Sequence, residues 1–268
     1  MAHPIPSPQD TAGKAFERLI AILDTLRIAC PWDRKQTMES LRHLTIEELY
    51  ELTDSILEKD YNEIKKELGD VMMHLVFYAK IADEQQQFDI VDVLNAVCDK
   101  LVARHPHIYA DTQVDNEEDV KNNWEALKLK EGNKSVLSGV PKGLPALVKA
   151  YRIQDKVRGV GFDWDDKTEV WKKVEEELAE FKNEFNLTGD VSIDQEKAEA
   201  EFGDLLFSLI NYARHLGINP ENALERTNKK FIQRFGHLEK RAAENGQNLK
   251  EMTLAEMDVY WNEAKKVL

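Results

Sequence analysis

Apolar positions recur at intervals of three and four along nearly the whole chain. That is the spacing of helices with one buried face. The pattern predicts helices over 15–26, 63–82, 89–102 and 119–131, then over 146–157, 168–186, 194–216, 220–243 and 253–266. Thr45, ahead of the acidic pair Glu47 and Glu48, reads as a helix start. Asn219 before Pro220 reads as another. No alternating stretch is long enough to predict a sheet. Between the two helical series, residues 132–145 hold three Gly, two Pro and two Ser, a composition that suits a linker. The expected organisation is all-α: a disordered tail over 1–13, a first domain over 14–131, a linker over 132–145 and a second domain over 146–268. Each domain reads as a four-helix-type unit.

Acidic residues interrupt this pattern in a regular way. Glu48 and Glu51 are followed downstream by Glu67 and Asp70; Glu177 and Glu180 are followed by Glu201 and Asp204. Side chains three apart share a helix face, so each set puts four carboxylates on the facing sides of two neighbouring helices. At roughly 5 Å and an effective dielectric of about 20, each pair repels by on the order of 3 kcal/mol. A divalent cation removes that cost, and ligands that are all oxygen favour Mg²⁺ or Mn²⁺ over zinc. One Glu-x-x-Glu alone means little on a charged helix. Here Asp70 and Asp204 each open a strongly apolar run, where an ionised group needs a partner or a metal.

The surroundings repeat as well. Residues 67–80 align with 201–214, matching Glu67 with Glu201, Gly69 with Gly203, Asp70 with Asp204, Tyr78 with Tyr212 and Lys80 with Arg214. Lys100, Arg104 and His107 have the spacing of Lys230, Arg234 and His237. Trp124 with Lys128 echoes Trp261 with Lys265, and Trp32–Asp33 echoes Trp164–Asp165. The chain reads as an internal duplication. Taken as sequence, Lys100 with Arg104 and Lys230 with Arg234 are cation pairs on one helix face, and their fixed place after the acids suits a phosphate clamp. Lys173 and Lys197 lie near the second acidic set. His74 and His215 read as structural, and His105 and His107, on either side of a proline, as capping residues.

Net charge and composition narrow the partners. A formal charge of −14 opposes binding to long nucleic acid, whose partners carry a basic face. A small phosphate ligand stays open because a metal reverses the local field. No apolar run approaches the roughly 20 residues of a membrane span, and the first residues lack a signal-peptide core. Cys30 and Cys98 are the only cysteines and read as reduced thiols, which fits a cytoplasmic protein. No Glu-x-x-His pair, nucleophile motif or phosphate-cradling glycine loop is present.

The doubled carboxylate set, the segment Gly161-Phe162-Asp163-Trp164 ahead of the second copy, and Arg104-His105-Pro106-His107 together resemble the MazG family of nucleoside triphosphate pyrophosphohydrolases. The resemblance runs from about Phe16 to the C-terminus. It implies an all-α, usually dimeric protein that uses Mg²⁺ to cut nucleoside triphosphates into monophosphate and pyrophosphate, with the second domain active. Carried over by position, the metal ligands are Glu177, Glu180, Glu201 and Asp204, with Glu48, Glu51, Glu67 and Asp70 as a second set. Glu176, Lys197, Lys230, Arg234 and Trp261 fall at the nucleotide-binding positions, joined by Lys173. Two residues depart from the pattern: Ala200 stands where relatives can carry a further acid, and Cys98 stands in the first domain where the second has Asn228.

The expected chemistry is metal-assisted attack of water on the α–β anhydride. Glu176 or Glu177 accepts the proton, Lys230 and Arg234 hold the pyrophosphate, and Trp261 stacks on the base with little discrimination. Apolar stretches 71–77 and 205–210 are expected to join a homodimer. Three other readings remain open: a narrower pyrophosphatase of dUTP or dCTP type, a nucleotide-sensing module without turnover, and a helical interaction protein with no site.

Overall fold

The computed structural model describes residues 11–110, 112–114, 116, 120, 123, 135–184 and 193–267. Among these, every regular element is helical. The predicted helix over 119–131, with Trp124 and Lys128, lies largely outside the described residues. The chain divides into two compact units, Met1–Gln113 and Val114–Leu268.

The first unit holds α1 (Ala12–Ala29), a 3-10 turn at Asp33–Lys35, α2 (Met38–Glu58), α3 (Tyr61–Glu84), α4 (Ile90–Arg104) and the single turn α5 (Pro106–Tyr109). The helix expected to begin after Thr45 in fact begins at Met38. Thr37 accepts the Ser40 amide at 3.2 Å while the Ser40 hydroxyl accepts the Thr37 amide at 2.9 Å, a reciprocal cap that satisfies two end donors. Serine in place of the usual Glu or Gln hid this cap in the sequence. Thr45 instead lies inside α2, its hydroxyl 2.7 Å from that of Tyr78 on α3. Lys59 closes α2 in the left-handed region at φ 60°, and Asp60 caps α3 by accepting the amides of Asn62 and Glu63. This tight connection folds α2 back along α3 and brings the two acidic pairs face to face. Leu41, Phe77 and Ile81 form the buried cluster between them, with Met38, Leu44 and Tyr78 packed against it. Burying Phe77 contributes about 2–3 kcal/mol before entropy.

The second unit holds a 3-10 turn at Val136–Gly139, α6 (Ala146–Arg158), α7 (Lys167–Asn183), α8 (Gln195–His215), α9 (Pro220–Glu244), a 3-10 turn at Leu249–Glu251 and α10 (Leu254–Val267). Asp166 and Asp194 cap α7 and α8; Asn219 caps α9 with Pro220 in its first turn. Helices α7 and α8 pack along each other as α2 and α3 do. Val170, Val174, Leu205 and Ile210 are buried between or beside them, and α6 is tied on by the Gln154 amide donating to the Phe207 carbonyl at 2.8 Å.

Each long central helix also carries an uncovered apolar stripe. Leu68, Met72 and Leu75 are exposed on α3; Phe202, Leu206 and Leu209 are exposed at the same register on α8. Val76 and Phe77, within the run expected to face a partner chain, are instead buried inside their own unit.

Candidate active site

In the second unit the site grows from two facing helices. On α7, Glu177 is buried with Glu176 and Glu180 exposed beside it; on α8, Glu201 is half-buried and Asp204 exposed. Oxygens of Glu176, Glu177 and Glu180 come within 4.8 Å of one another, and so do those of Glu177, Glu201 and Asp204. Glu177 belongs to both triads. It therefore joins the four carboxylates that the spacing singled out into one cluster spanning both helices. Loss of hydration, then the charges of Glu180, Asp204, Glu177 and Glu184, hold the Glu201 carboxyl above its ordinary range.

One lysine answers this charge. Lys173, one turn ahead on α7, reaches Glu176 at 2.8 Å and Glu177 at 2.6 Å. The hydrogen bonds to Glu176 and Glu177 raise its pKa above the usual lysine value. The other expected contacts are more scattered. Lys197 starts α8, where its ammonium pairs with Asp194 at 3.5 Å. Lys230 is exposed on α9; Arg234, one turn later, is half-buried with its Nε unpartnered. Trp261 on α10 packs its ring against Phe231 at 5.0 Å between centroids. Asn228 donates to Glu225 on its own helix at 3.2 Å.

A cavity of about 230 Å³ adjoins the cluster. Lys173, Glu177 and Asp204 border it, together with Trp164, Val170, Phe207, Ser208 and Asn211. Sequence reasoning missed this side of the site. It noted Trp164–Asp165 as a repeat of Trp32–Asp33 and treated His215 as structural. In the fold, Asp163 binds Arg214 and lies 3.0 Å from His215 Nε2. Burial pushes the Asp163 carboxyl up, but the bonds and charges of Arg214 and His215 outweigh it and hold the pKa below the usual carboxylate value. Asp163 thereby anchors the segment carrying Trp164 to the end of α8.

The first unit repeats the acidic geometry with different company. Oxygens of Glu48, Glu51 and Glu67 lie within 4.8 Å of one another, with Glu67 only 2% exposed. Desolvation, followed by the charges of Asp70, Glu51, Glu67 and Glu47, raises the pKa of Glu48. The lysine here is Lys66 on α3, 3.0 Å from Glu63 and 3.4 Å from Glu67. Both clusters offer only carboxylate oxygens, from two helices, to a common point. That donor set fits a hard divalent cation such as Mg²⁺ or Mn²⁺.

Comparison with known proteins agrees with this geometry. Residues 36–109, the part of the chain bearing the first acidic set, match the MazG nucleotide pyrophosphohydrolase domain. The chain is 39% identical over 258 residues to the nucleoside triphosphate pyrophosphohydrolase of Escherichia coli (strain K12), covering 94% of this chain and 97% of that protein. It is 41% identical over 259 residues to the nucleoside triphosphate pyrophosphohydrolase/pyrophosphatase MazG of Thermotoga maritima, covering 95% and 97%. To the nucleoside triphosphate pyrophosphohydrolase of Mycobacterium tuberculosis it is 34% identical over 163 residues, 60% of this chain and 50% of that one. Likeness of this extent to full-length relatives, together with the domain match and the doubled carboxylate helices, places the chain in the MazG family.

Proposed function

We propose that this protein hydrolyses nucleoside triphosphates to the monophosphate and pyrophosphate, that the second unit carries the reaction, and that Mg²⁺ is the working metal with Mn²⁺ as substitute. The observation that carries the reading is Glu177, a buried carboxylate shared by two acidic triads on facing helices. Glu177, Glu180, Glu201 and Asp204 would hold the metal. When bound, it supplies charge neutralisation at the phosphates and a more acidic water. The protein's own groups do the rest. Glu176 or Glu177 accepts the attacking water's proton. Lys173 sits close enough to the carboxylates to exchange its bonds to them for bonds to phosphate oxygens. Lys197, Lys230 and Arg234 add positive charge, with Arg234 suited to bidentate phosphate contact. Trp261 completes the nucleotide set. Recognition directed mainly at phosphates and metal leaves the base loosely specified, so a broad substrate range follows.

Product analysis tests the reaction. ATP or dGTP should give the monophosphate and pyrophosphate, and the diphosphate with inorganic phosphate would overturn the mechanism. Activity should vanish with EDTA and return with Mg²⁺ or Mn²⁺; turnover that survives chelation would separate the carboxylates from catalysis.

The protein is further proposed to work as a homodimer in the cytoplasm. The exposed stripes Leu68–Met72–Leu75 and Phe202–Leu206–Leu209 support association, and no helix among the described residues is long and apolar enough to cross a membrane. Light scattering at micromolar concentration should report twice the chain mass of 30.9 kDa; a monomer would count against the dimer.

A further inference from the structure

The two acidic helices of the second unit run antiparallel. Phe181 on α7 packs on Phe202 of α8 at 5.3 Å between centroids, and Trp171 on Tyr212 at 4.9 Å. The start of α7 therefore lies beside the last turn of α8, and a polar knot closes this end of the pair. Asp163 Oδ1 accepts from the Trp164 amide at 3.0 Å and from a terminal nitrogen of Arg214, and it lies 3.0 Å from His215 Nε2. The same Arg214 nitrogen donates to Asn211 Oδ1 at 2.8 Å and is 3.0 Å from His215 Nε2. A terminal guanidinium nitrogen has two hydrogens, and Asp163 and Asn211 take both. None is left for His215, so its Nε2 carries a hydrogen and donates to Asp163. One carboxylate oxygen thus gathers three N–H groups, from the entry to α7 and from the end of α8. The side chains of Asp163, Arg214 and His215 are 18%, 8% and 14% exposed, so water competes little for these bonds.

The first unit closes the same end with other residues. Pro31 stands where Asp163 does, and Lys80, in the place of Arg214, pairs with Asp24 on α1 at 2.9 Å. The tie comes instead from Arg27 on α1. Its Nε and one terminal nitrogen each reach Glu84, the last residue of α3, at 2.9 Å. Its other terminal nitrogen donates to the carbonyls of Asp33 and Gln36, just ahead of α2. The charges at the helix end are reversed: a carboxylate ends α3, and an arginine lies in the last turn of α8. Two copies that share their acids, and not the residues of this tie, both fasten the entry of the first acidic helix to the end of the second. What the two ties have in common is the pair of helices they hold.

We propose that Asp163 is a positioning residue for the metal site: through Arg214 and His215 it holds the start of α7 against the end of α8, and so keeps Glu177 at the spacing from Glu201 and Asp204 at which one cation is shared. The proposal rests on reading those carboxylates as the metal site. Asp163 acts on them only through the helices. Glu177, Glu201 and Asp204 stand within 4.8 Å of one another, and like charges at that range push the two helices apart. A ligand set works only when it is held to within about 0.5 Å. With the tie cut, the helices relax outward and the carboxylates regain water. A cation must then draw them back together, which lowers its affinity.

Asp163→Ala tests this in the full-length chain. The readout is Mn²⁺ binding without nucleotide, followed by electron paramagnetic resonance at a temperature where the variant is folded. A Glu67→Gln background silences the first unit's cluster. Mn²⁺ affinity should fall about tenfold or more, the scale on which groups behind metal ligands act. The Mn²⁺ concentration for half-maximal ATP hydrolysis should rise in parallel. Asp163→Asn keeps an acceptor oxygen for the three N–H groups and should restore most of the affinity. A tie that only stabilises the fold would lower the melting temperature of Asp163→Ala and leave its Mn²⁺ affinity at the parent value; that result overturns the proposal with the carboxylate reading intact. If Asp163→Ala does not fold, His215→Ala removes one of the three donors: a several-fold loss of Mn²⁺ affinity supports the role, and parent affinity rejects it. Arg27→Ala cuts the first unit's tie and should leave this affinity unchanged; an equal loss there would show a general loosening and reject the local tie. A parent protein that binds no Mn²⁺ would overturn the carboxylate reading, and the positioning role with it.

Discussion

The two units share their acidic helices and differ in what stands beside them. Both place carboxylates of a Glu-x-x-Glu helix within 4.8 Å of those on its neighbour. In the first unit the adjoining space is hydrophobic core, and the lysine answering the acids, Lys66, comes from α3. In the second it is a cavity, and the lysine, Lys173, comes from α7 and borders that cavity. The acidic cluster is duplicated, and the surroundings of its two copies are not. The difference lies in a few neighbours that differ in size and polarity between the copies, Phe77 against Asn211 and Leu41 against Val170. The match to the family domain falls on the first unit, while the proposed site lies in the second.

The sharpest break in this comparison comes from removing one ligand charge on each side. Glu201→Gln should lower kcat/KM by about a thousandfold or more, the scale of several kcal/mol of lost metal-based stabilisation. Glu67→Gln should leave most of the activity. Equal losses would mean that both units turn over or share one site; loss with Glu67→Gln alone would reverse the assignment.

Next in size is the contrast between core and cavity. Phe77→Ala should destabilise the first unit by about 3–5 kcal/mol in denaturant titration while leaving the KM for ATP unchanged in protein that remains folded. A raised KM from that substitution would mean that the first unit takes part in nucleotide binding.

The lysines differ less. Lys173→Ala should raise the KM for ATP about tenfold, because a charge-assisted contact to phosphate is worth about 1.5–3 kcal/mol. Lys66 is itself exposed and pairs with exposed Glu63 and, at 3.4 Å, with buried Glu67; an ammonium that stays in water contributes about 0–1 kcal/mol in such pairs. Lys66→Ala should leave both KM and melting temperature nearly unchanged.

The smallest effect is electrostatic. Glu48 and Glu201 have pKa values raised above the ordinary 4.5. A carboxyl raised in the folded state contributes stability that is fully present below the unfolded pKa and is lost as pH climbs through the folded one. Without metal, this contribution should fade as pH rises through and above 4.5. Mg²⁺ should therefore raise the melting temperature more at pH 7 than at pH 4, and Glu201→Gln should reduce that difference. An equal Mg²⁺ effect at both pH values would argue against metal binding by the ionised cluster.

Much of the fold was legible because helical periodicity and capping are local. The helices over 63–82, 89–102 and 220–243 were placed within two residues of their ends. The start of α2 was missed because Thr37 and Ser40 form an atypical reciprocal cap, while Thr45 with two following acids imitates a helix start. The carboxylates were legible as well, because residues three apart on a helix must share a face. The pairing of Lys173 with Glu176 and Glu177 follows the same short-range rule.

The cavity was not legible, because its walls come from three segments: Trp164 from before α7, Val170 from α7, and Phe207 and Asn211 from α8. Nothing local says that these meet, or that Phe77 and Leu41 close the corresponding space in the other copy. The tie from Asp163 to Arg214 and His215 spans 51 and 52 residues, and only the neighbouring Trp164–Asp165 repeat marked the segment in the sequence. By itself, the sequence determined the helical class, the duplication and two sets of facing acids, since each follows from spacing along one or two helices. Tertiary structure alone decided that the second set adjoins a cavity, because that depends on the volumes of side chains from separate segments converging on one point.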